Sequence, residues 1–153
     1  MLKEIKPGIY WTGAVDWEIR KIHGEEYSTH RGTSYNSYLI KDTKTVLIDT
    51  VWSPFASEFV ENLDKEVGLN AVDAVIANHA EADHGGALAE LMARIPGRPI
   101  YCTASGVNCC AGIIIKTGIS CRSRRETRSI SGAASSCSSK RPCFIGRTAC
   151  SPT

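Results

Sequence analysis

No cysteine occurs before residue 102, and no histidine occurs after His84. The first absence excludes a disulfide scaffold and a thiolate zinc site from the first two thirds of the chain. The seven cysteines, Cys102, Cys109, Cys110, Cys121, Cys137, Cys143 and Cys150, are irregularly spaced and odd in number. They read neither as a disulfide framework nor as a zinc ribbon, because the Cys109-Cys110 neighbours are too close to share one tetrahedral ion. No run of 18 apolar residues exists, which excludes a membrane-spanning helix. Met1 to Tyr10 lacks the apolar core of a signal peptide, and together with the cysteine-free part this predicts a cytoplasmic protein. Between Tyr101 and Phe144 no aromatic residue is available to stack on a base. The basic cluster Arg122, Arg124, Arg125 and Arg128 is therefore read as a solvated charge run rather than a nucleic-acid site.

Charge divides the chain at the same place as cysteine. Residues 1–101 hold fifteen acids and ten bases, a net of −5, whereas residues 102–153 hold one acid, Glu126, and eight bases, a net of +7. Ten of the fifteen serines also follow residue 101, while all three tryptophans precede it. Residues 120–141 contain almost no large apolar side chain, so they cannot bury enough surface to offset the entropy of ordering them. The expected organisation is one domain-like part over 1–108 and a largely disordered tail over 109–153.

The first part alternates strands and helices. Ile9-Tyr10-Trp11 is a short strand after Pro7-Gly8, and residues 14–34 form a long loop or hairpin. Tyr35 to Ile40 and Thr45 to Asp49 make a strand pair across the turn Asp42-Thr43-Lys44. Ser53 is expected to cap a helix with Pro54 in its first turn. Phe55, Phe59, Val60, Leu63 and Val67 would line one face, and Gly68 would end it. A buried strand over Ala71 to Ala77 follows. A second helix from Gly86 to Ala93 turns Leu88, Leu91 and Met92 inward, and Pro99 to Cys102 starts another strand. The order β-β-β-α-β-α-β predicts an α/β layered fold.

Asn78-His79-Ala80-Glu81-Ala82-Asp83-His84-Gly85-Gly86 places four metal-capable side chains within six residues, directly after a strand. A solvated loop with Asp83 at a helix start would explain any one of them. It does not explain the set, because residue type, spacing and the strand-loop-helix setting agree. Residues 79, 81 and 83 converge if the loop is extended, while Asp83 and His84 diverge, so one segment can serve two adjacent metals. Glu81 stands where zinc hydrolases of the metallo-β-lactamase fold show histidine in H-x-H-x-D-H. A hard carboxylate oxygen there favours iron or manganese over zinc.

Four segments resemble the flavodiiron proteins, or A-type flavoproteins, from about residue 9 to 108. They are Val15 to Arg20 with Ile22-His23-Gly24, Arg31 to Ile40, Val46 to Val51, and Asn78 to His84. The resemblance implies the N-terminal half of a metallo-β-lactamase-like αβ/βα sandwich followed by an irregular tail. It implies two irons, one on His79 and Glu81 and the other on Asp83 and His84, with His23 near the pocket. It makes Asp49 an organiser of hydrogen bonds beneath the site and His30 a surface residue. It implies an oxidoreductase that reduces nitric oxide to nitrous oxide, or dioxygen to water. Electrons would come from FMN in a C-terminal flavodoxin-like domain, fed by a rubredoxin-type donor, in a head-to-tail dimer or tetramer. The alternative is a metal-dependent hydrolase on the same fold.

The pattern breaks in the tail. Where such proteins continue Gly-His-Tyr-His, this chain has Gly112-Ile113-Ile114-Ile115, which CAT TAT CAT codons give when read one base late. A possible coding run for Lys140 to Thr148 regroups to Glu-Thr-Pro-Met-Leu-His-Trp-Pro-Asp, the family's next ligand segment. The expectation is a frameshifted tail, a site with half its ligands, and no activity in this chain alone.

Overall fold

A computed structural model describes residues 2–22, 24–103, 106–107, 110 and 121–123. His23 and most of the tail lie outside the described residues, so the readings made for them stay as expectations. The architecture is α/β. Among the described residues the main sheet has seven strands. Its strands are β1 (Lys3–Lys6), β2 (Ile9–Trp11), β7 (Tyr38–Lys41), β8 (Thr45–Ile48), β9 (Ala74–Ala77), β10 (Ile100–Cys102) and β11 (Cys121–Ser123). The first four pair antiparallel, and β8 through β11 pair parallel. The change to parallel pairing comes where helices enter the chain, since a parallel neighbour needs a crossover connection. α1 (Ala56–Val67) joins β8 to β9, and α2 (Ala82–Gly85) with α3 (Leu88–Arg94) joins β9 to β10.

Register explains the core. Leu39 pairs with Leu47, Leu47 with Val75, and Val75 with Ile100, so one row of side chains crosses four strands. All four are fully buried. They meet Phe59, Val60 and Leu63 of α1 and Leu88, Leu91 and Met92 of α3, and α1 and α3 pack on each other. The opposite face carries the row Trp11, Tyr38, Ile48, Ile76 and Tyr101, in register by the same pairings and only half-buried. A sandwich covers both faces of such a sheet. Among the described residues only the helical side is complete.

Two small sheets sit between β2 and β7 in sequence. β3 (Ala14–Asp16) pairs with β6 (Thr33–Tyr35), and β4 (Lys21–Ile22) pairs with β5 (Tyr27–Ser28) inside that loop. Asp16 holds them. Its Oδ1 accepts the Glu18 and Ile19 N–H groups at 2.9 and 3.0 Å, and its Oδ2 accepts the Tyr35 hydroxyl at 3.1 Å.

Several boundaries differ from the sequence reading. The strand expected over 35–40 is broken at Asn36-Ser37. The Asn36 side chain accepts the Trp11 indole N–H at 2.9 Å, and the Ser37 carbonyl accepts the Thr12 N–H. Ser53 does not cap a helix. Ser53–Phe55 forms a 3-10 turn in which Phe55 N–H bonds Trp52 O at 2.9 Å, and α1 starts at Ala56. Gly68 ends α1 with φ 77°. The second helix starts earlier and is interrupted, because Ala87 N–H donates to Val51 O at 2.9 Å instead of to its own helix. β11 and Cys110 are the described parts of the 109–153 tail for which disorder is expected.

Tyr35 gives the fold a pH dependence. Burial, then the hydrogen bond to Asp16 and the negative charges of Asp16 and Asp83, push its phenol up from 10.0 to about 12. The folded state thus holds the proton more tightly than the unfolded chain. Tyr35's contribution is complete below pH 10 and lost as pH rises towards 12. Tyr35→Phe should remove this alkaline slope at a neutral-pH loss of about 1 kcal/mol for the hydrogen bond. Denaturant titrations at pH 8 and pH 11 check it, and equal slopes in both proteins would contradict it.

Candidate metal centre

β9 ends at Ala77, and the chain runs through Asn78, His79, Ala80 and Glu81 before α2 begins at Ala82. The loop is short, so its direction is set by what flanks it. β8 ends beside it at Ile48, and the next residues, Asp49 to Val51, run along the loop and bond to it at several points. Asp49 N–H donates to Ile76 O at 2.8 Å. The Asp49 Oδ1 accepts the Asn78 N–H at 2.7 Å and the His79 N–H at 3.3 Å. Asp49 itself adopts φ 55°, left-handed backbone that aspartate tolerates better than most side chains. Asp49 organises hydrogen bonds beneath the loop, as expected from the sequence. Burial raises its carboxyl above the ordinary range, opposed by the Asn78 and His79 amides and by the nearby His84.

The four expected side chains fall into two pairs. His79 Nε2 lies 3.3 Å from Glu81 Oε2, and His84 Nε2 lies 3.4 Å from Asp83 Oδ2. Two cis donors at bond lengths of about 2.1 Å stand roughly 3.0–3.4 Å apart, so each pair has the spacing of two ligands on one ion. The His79 and His84 rings meet edge to face with centroids 5.3 Å apart, which brings the pairs side by side. The remaining nitrogen of His84, Nδ1, is buried, has no hydrogen-bond partner among the described residues, and lies 3.7 Å from Asp49 Oδ2. A carboxylate facing the far nitrogen of an imidazole is the usual support of a metal-binding histidine. The donor set therefore suits metal ions with two ligands apiece. Among the described residues no group of three or more His, Cys, Asp or Glu side chains converges to hold an ion.

Beside Glu81 and Asp83 opens a cavity of about 590 Å³ whose walls include Ile19, Ile22, Tyr35 and Trp52. Lys21, Thr33 and Ser34 line it as well, so its walls mix apolar and polar groups. The nested hairpin brings Ile19, Ile22 and Gly24 to it, from the segment that the resemblance sets near the pocket. His30 is exposed, as expected. No described helix is long and apolar enough to cross a membrane.

Residues 30–110 match the metallo-beta-lactamase superfamily. The chain is 56% identical over 112 residues to the anaerobic nitric oxide reductase flavorubredoxin of Aeromonas salmonicida (strain A449), covering 73% of this chain and 22% of that one. It is 57% identical over 104 residues to a flavorubredoxin homolog of Escherichia coli O157:H7, covering 68% and 25%. In structure it resembles the flavodiiron protein from Giardia intestinalis, with a TM-score of 0.72, 32% identity, and coverage of 80% of this chain and 30% of that one. It likewise resembles the rubredoxin oxygen:oxidoreductase of Desulfovibrio gigas, with a TM-score of 0.73, 28% identity and coverage of 80% and 30%. The chain thus spans about a fifth of the length of the flavorubredoxin from Aeromonas.

Proposed function

Given that this chain belongs to the metallo-β-lactamase superfamily, we propose that it carries half of the diiron site of a flavodiiron-type oxidoreductase. The observation that carries the reading is the pairing of donors, His79 with Glu81 and Asp83 with His84, each at the spacing of two ligands on one ion. Two ferrous ions in such a site would together supply the electrons that reduce nitric oxide to nitrous oxide, or dioxygen to water. The chain's own residues hold and orient the donors. His79 and Glu81 hold one ion, Asp83 and His84 the other, and Asp49 faces the far nitrogen of His84. The apolar wall of Tyr35 and Trp52 beside Glu81 suits a small uncharged substrate. Electrons would arrive from FMN in a flavodoxin-like domain of the parent protein, fed by a rubredoxin-type donor, in a cytoplasmic homo-oligomer. Residues 109–153 would be the parent gene read out of frame, and this chain alone would lack activity.

Glu81 separates this reading from a zinc hydrolase. Anaerobic competition between iron(II) and zinc(II), read at equilibrium by displacement of cobalt(II) from its visible absorption, tests it. Glu81→His should move the preference towards zinc by roughly tenfold or more, the scale on which single changes at a metal site act. Zinc-selective binding by the unaltered chain, with ester hydrolysis, would overturn the reading in favour of the hydrolase.

A further inference from the structure

Thr50 is buried beneath the loop. Its hydroxyl donates to the His84 carbonyl at 2.7 Å, and its own N–H donates to the same oxygen at 2.8 Å. In an uninterrupted helix that carbonyl would accept the N–H of Leu88, four residues on. Here α2 stops at Gly85, and Ala87 N–H turns to Val51 O. The orphaned carbonyl of a helix end needs a partner, and Thr50 supplies two donors to it. The neighbouring Asp49 fixes the other end of the motif through the Asn78 and His79 amides. A hydroxyl chain backs this strip: Thr12 Oγ1 donates to Ser37 Oγ, and Ser37 Oγ donates to Asp49 O, each at 2.9 Å. Residues 49 and 50 therefore hold the first and last metal-capable residues of the motif at once.

We infer that Thr50 is a positioning residue of the metal centre. It fixes the backbone of His84 and so sets where the Asp83–His84 pair stands relative to His79–Glu81. The inference rests on the functional reading above and adds a residue that coordinates nothing. Thr50→Val keeps the shape and the backbone N–H and removes only the hydroxyl, while Thr50→Ser keeps the hydroxyl.

Two measurements on the 153-residue chain decide it. The first needs no metal and follows amide hydrogen exchange at Gly85, whose N–H bonds Glu81 O, against Val75 in the core, whose N–H bonds Pro99 O. Thr50→Val should quicken exchange at Gly85 and leave Val75 unchanged, and Thr50→Ser should match the parent chain. The second is an anaerobic cobalt(II) titration read by its visible absorption. Thr50→Val should weaken cobalt binding by roughly 10- to 100-fold, as loss of support to a ligand does, with Thr50→Ser restoring it. Unchanged exchange at Gly85, or equal acceleration at Gly85 and Val75, would overturn the inference, since the second outcome marks a general loss of stability. A parent chain that takes up no cobalt would instead overturn the functional reading, and the metal-free exchange would still decide the role of Thr50.

Discussion

Supplied with ferrous iron and a reduced flavin, the purified 153-residue chain is expected to consume neither nitric oxide nor dioxygen faster than the same iron free in buffer. The reason lies in ligand count and support. Each donor pair provides two ligands, and the described residues gather no third His, Cys, Asp or Glu around either. No histidine follows His84 from which another imidazole could come. Two ions held by two ligands each would have no fixed separation, and reduction of a diatomic at a metal pair depends on that separation. The half-buried row from Trp11 to Tyr101 adds to this, because among the described residues only the helical side of the sheet is covered. Bound iron should leave on gel filtration against a mild chelator. An anaerobic nitric oxide electrode and iron analysis of the filtered protein give the answer. Turnover with stoichiometric retained iron would refute the expectation.

Gly86→Ala is expected to displace the motif from its bed and to cost about 2–3 kcal/mol, the usual penalty for forcing a methyl group into filled space. A Cβ at Gly86 would overlap Ser53 N and stand 2.6 Å from Ala82 O and 2.9 Å from Trp52 C. All three are backbone atoms, so no side chain can swing aside. The turn at 52–53 or helix α2 must move, and α2 carries Asp83 and His84. The variant should therefore lose both stability and whatever metal affinity the loop has. Urea unfolding and cobalt(II) titration measure the two effects. An alanine variant as stable as the parent would show that residues 52–53 and 82–86 are less tightly packed than described.

Most of the central sheet was legible because its strands are continuous apolar runs whose length and flanking turns leave few choices. Val46-Leu47, Val75-Ile76 and the helical spacing of Phe59, Val60 and Leu63 gave the layers. β1 was not legible, since Lys3 to Lys6 is exposed throughout and held as an edge strand by backbone pairing with β2. The nested hairpins depend on Asp16 bonding residues up to nineteen positions away, which no local pattern encodes. The interrupted second helix follows from Val51 O capturing Ala87 N–H, a contact between distant segments. The same logic divides the site. His79, Glu81, Asp83 and His84 share one segment and announce themselves by type and spacing. Thr50 is an ordinary strand-end residue whose role exists only once the loop lies over it. His23, also drawn from the resemblance, lies outside the described residues.

The nucleotide sequence from the codon of Ile100 through that of Thr153 and onward tests the proposed identity most directly, because it asks whether the missing ligands are encoded beside those present. A one-base or two-base correction at about Ser105 to Cys110 should restore Gly-His-Tyr-His or its like, then Leu-His-Trp-Pro-Asp, then a flavodoxin-like reading frame. Alternative frames interrupted throughout by stop codons would mean that the cysteine- and serine-rich tail is genuine. The chain would then be a distinct protein of this superfamily, and the assignment to a diiron reductase would fall.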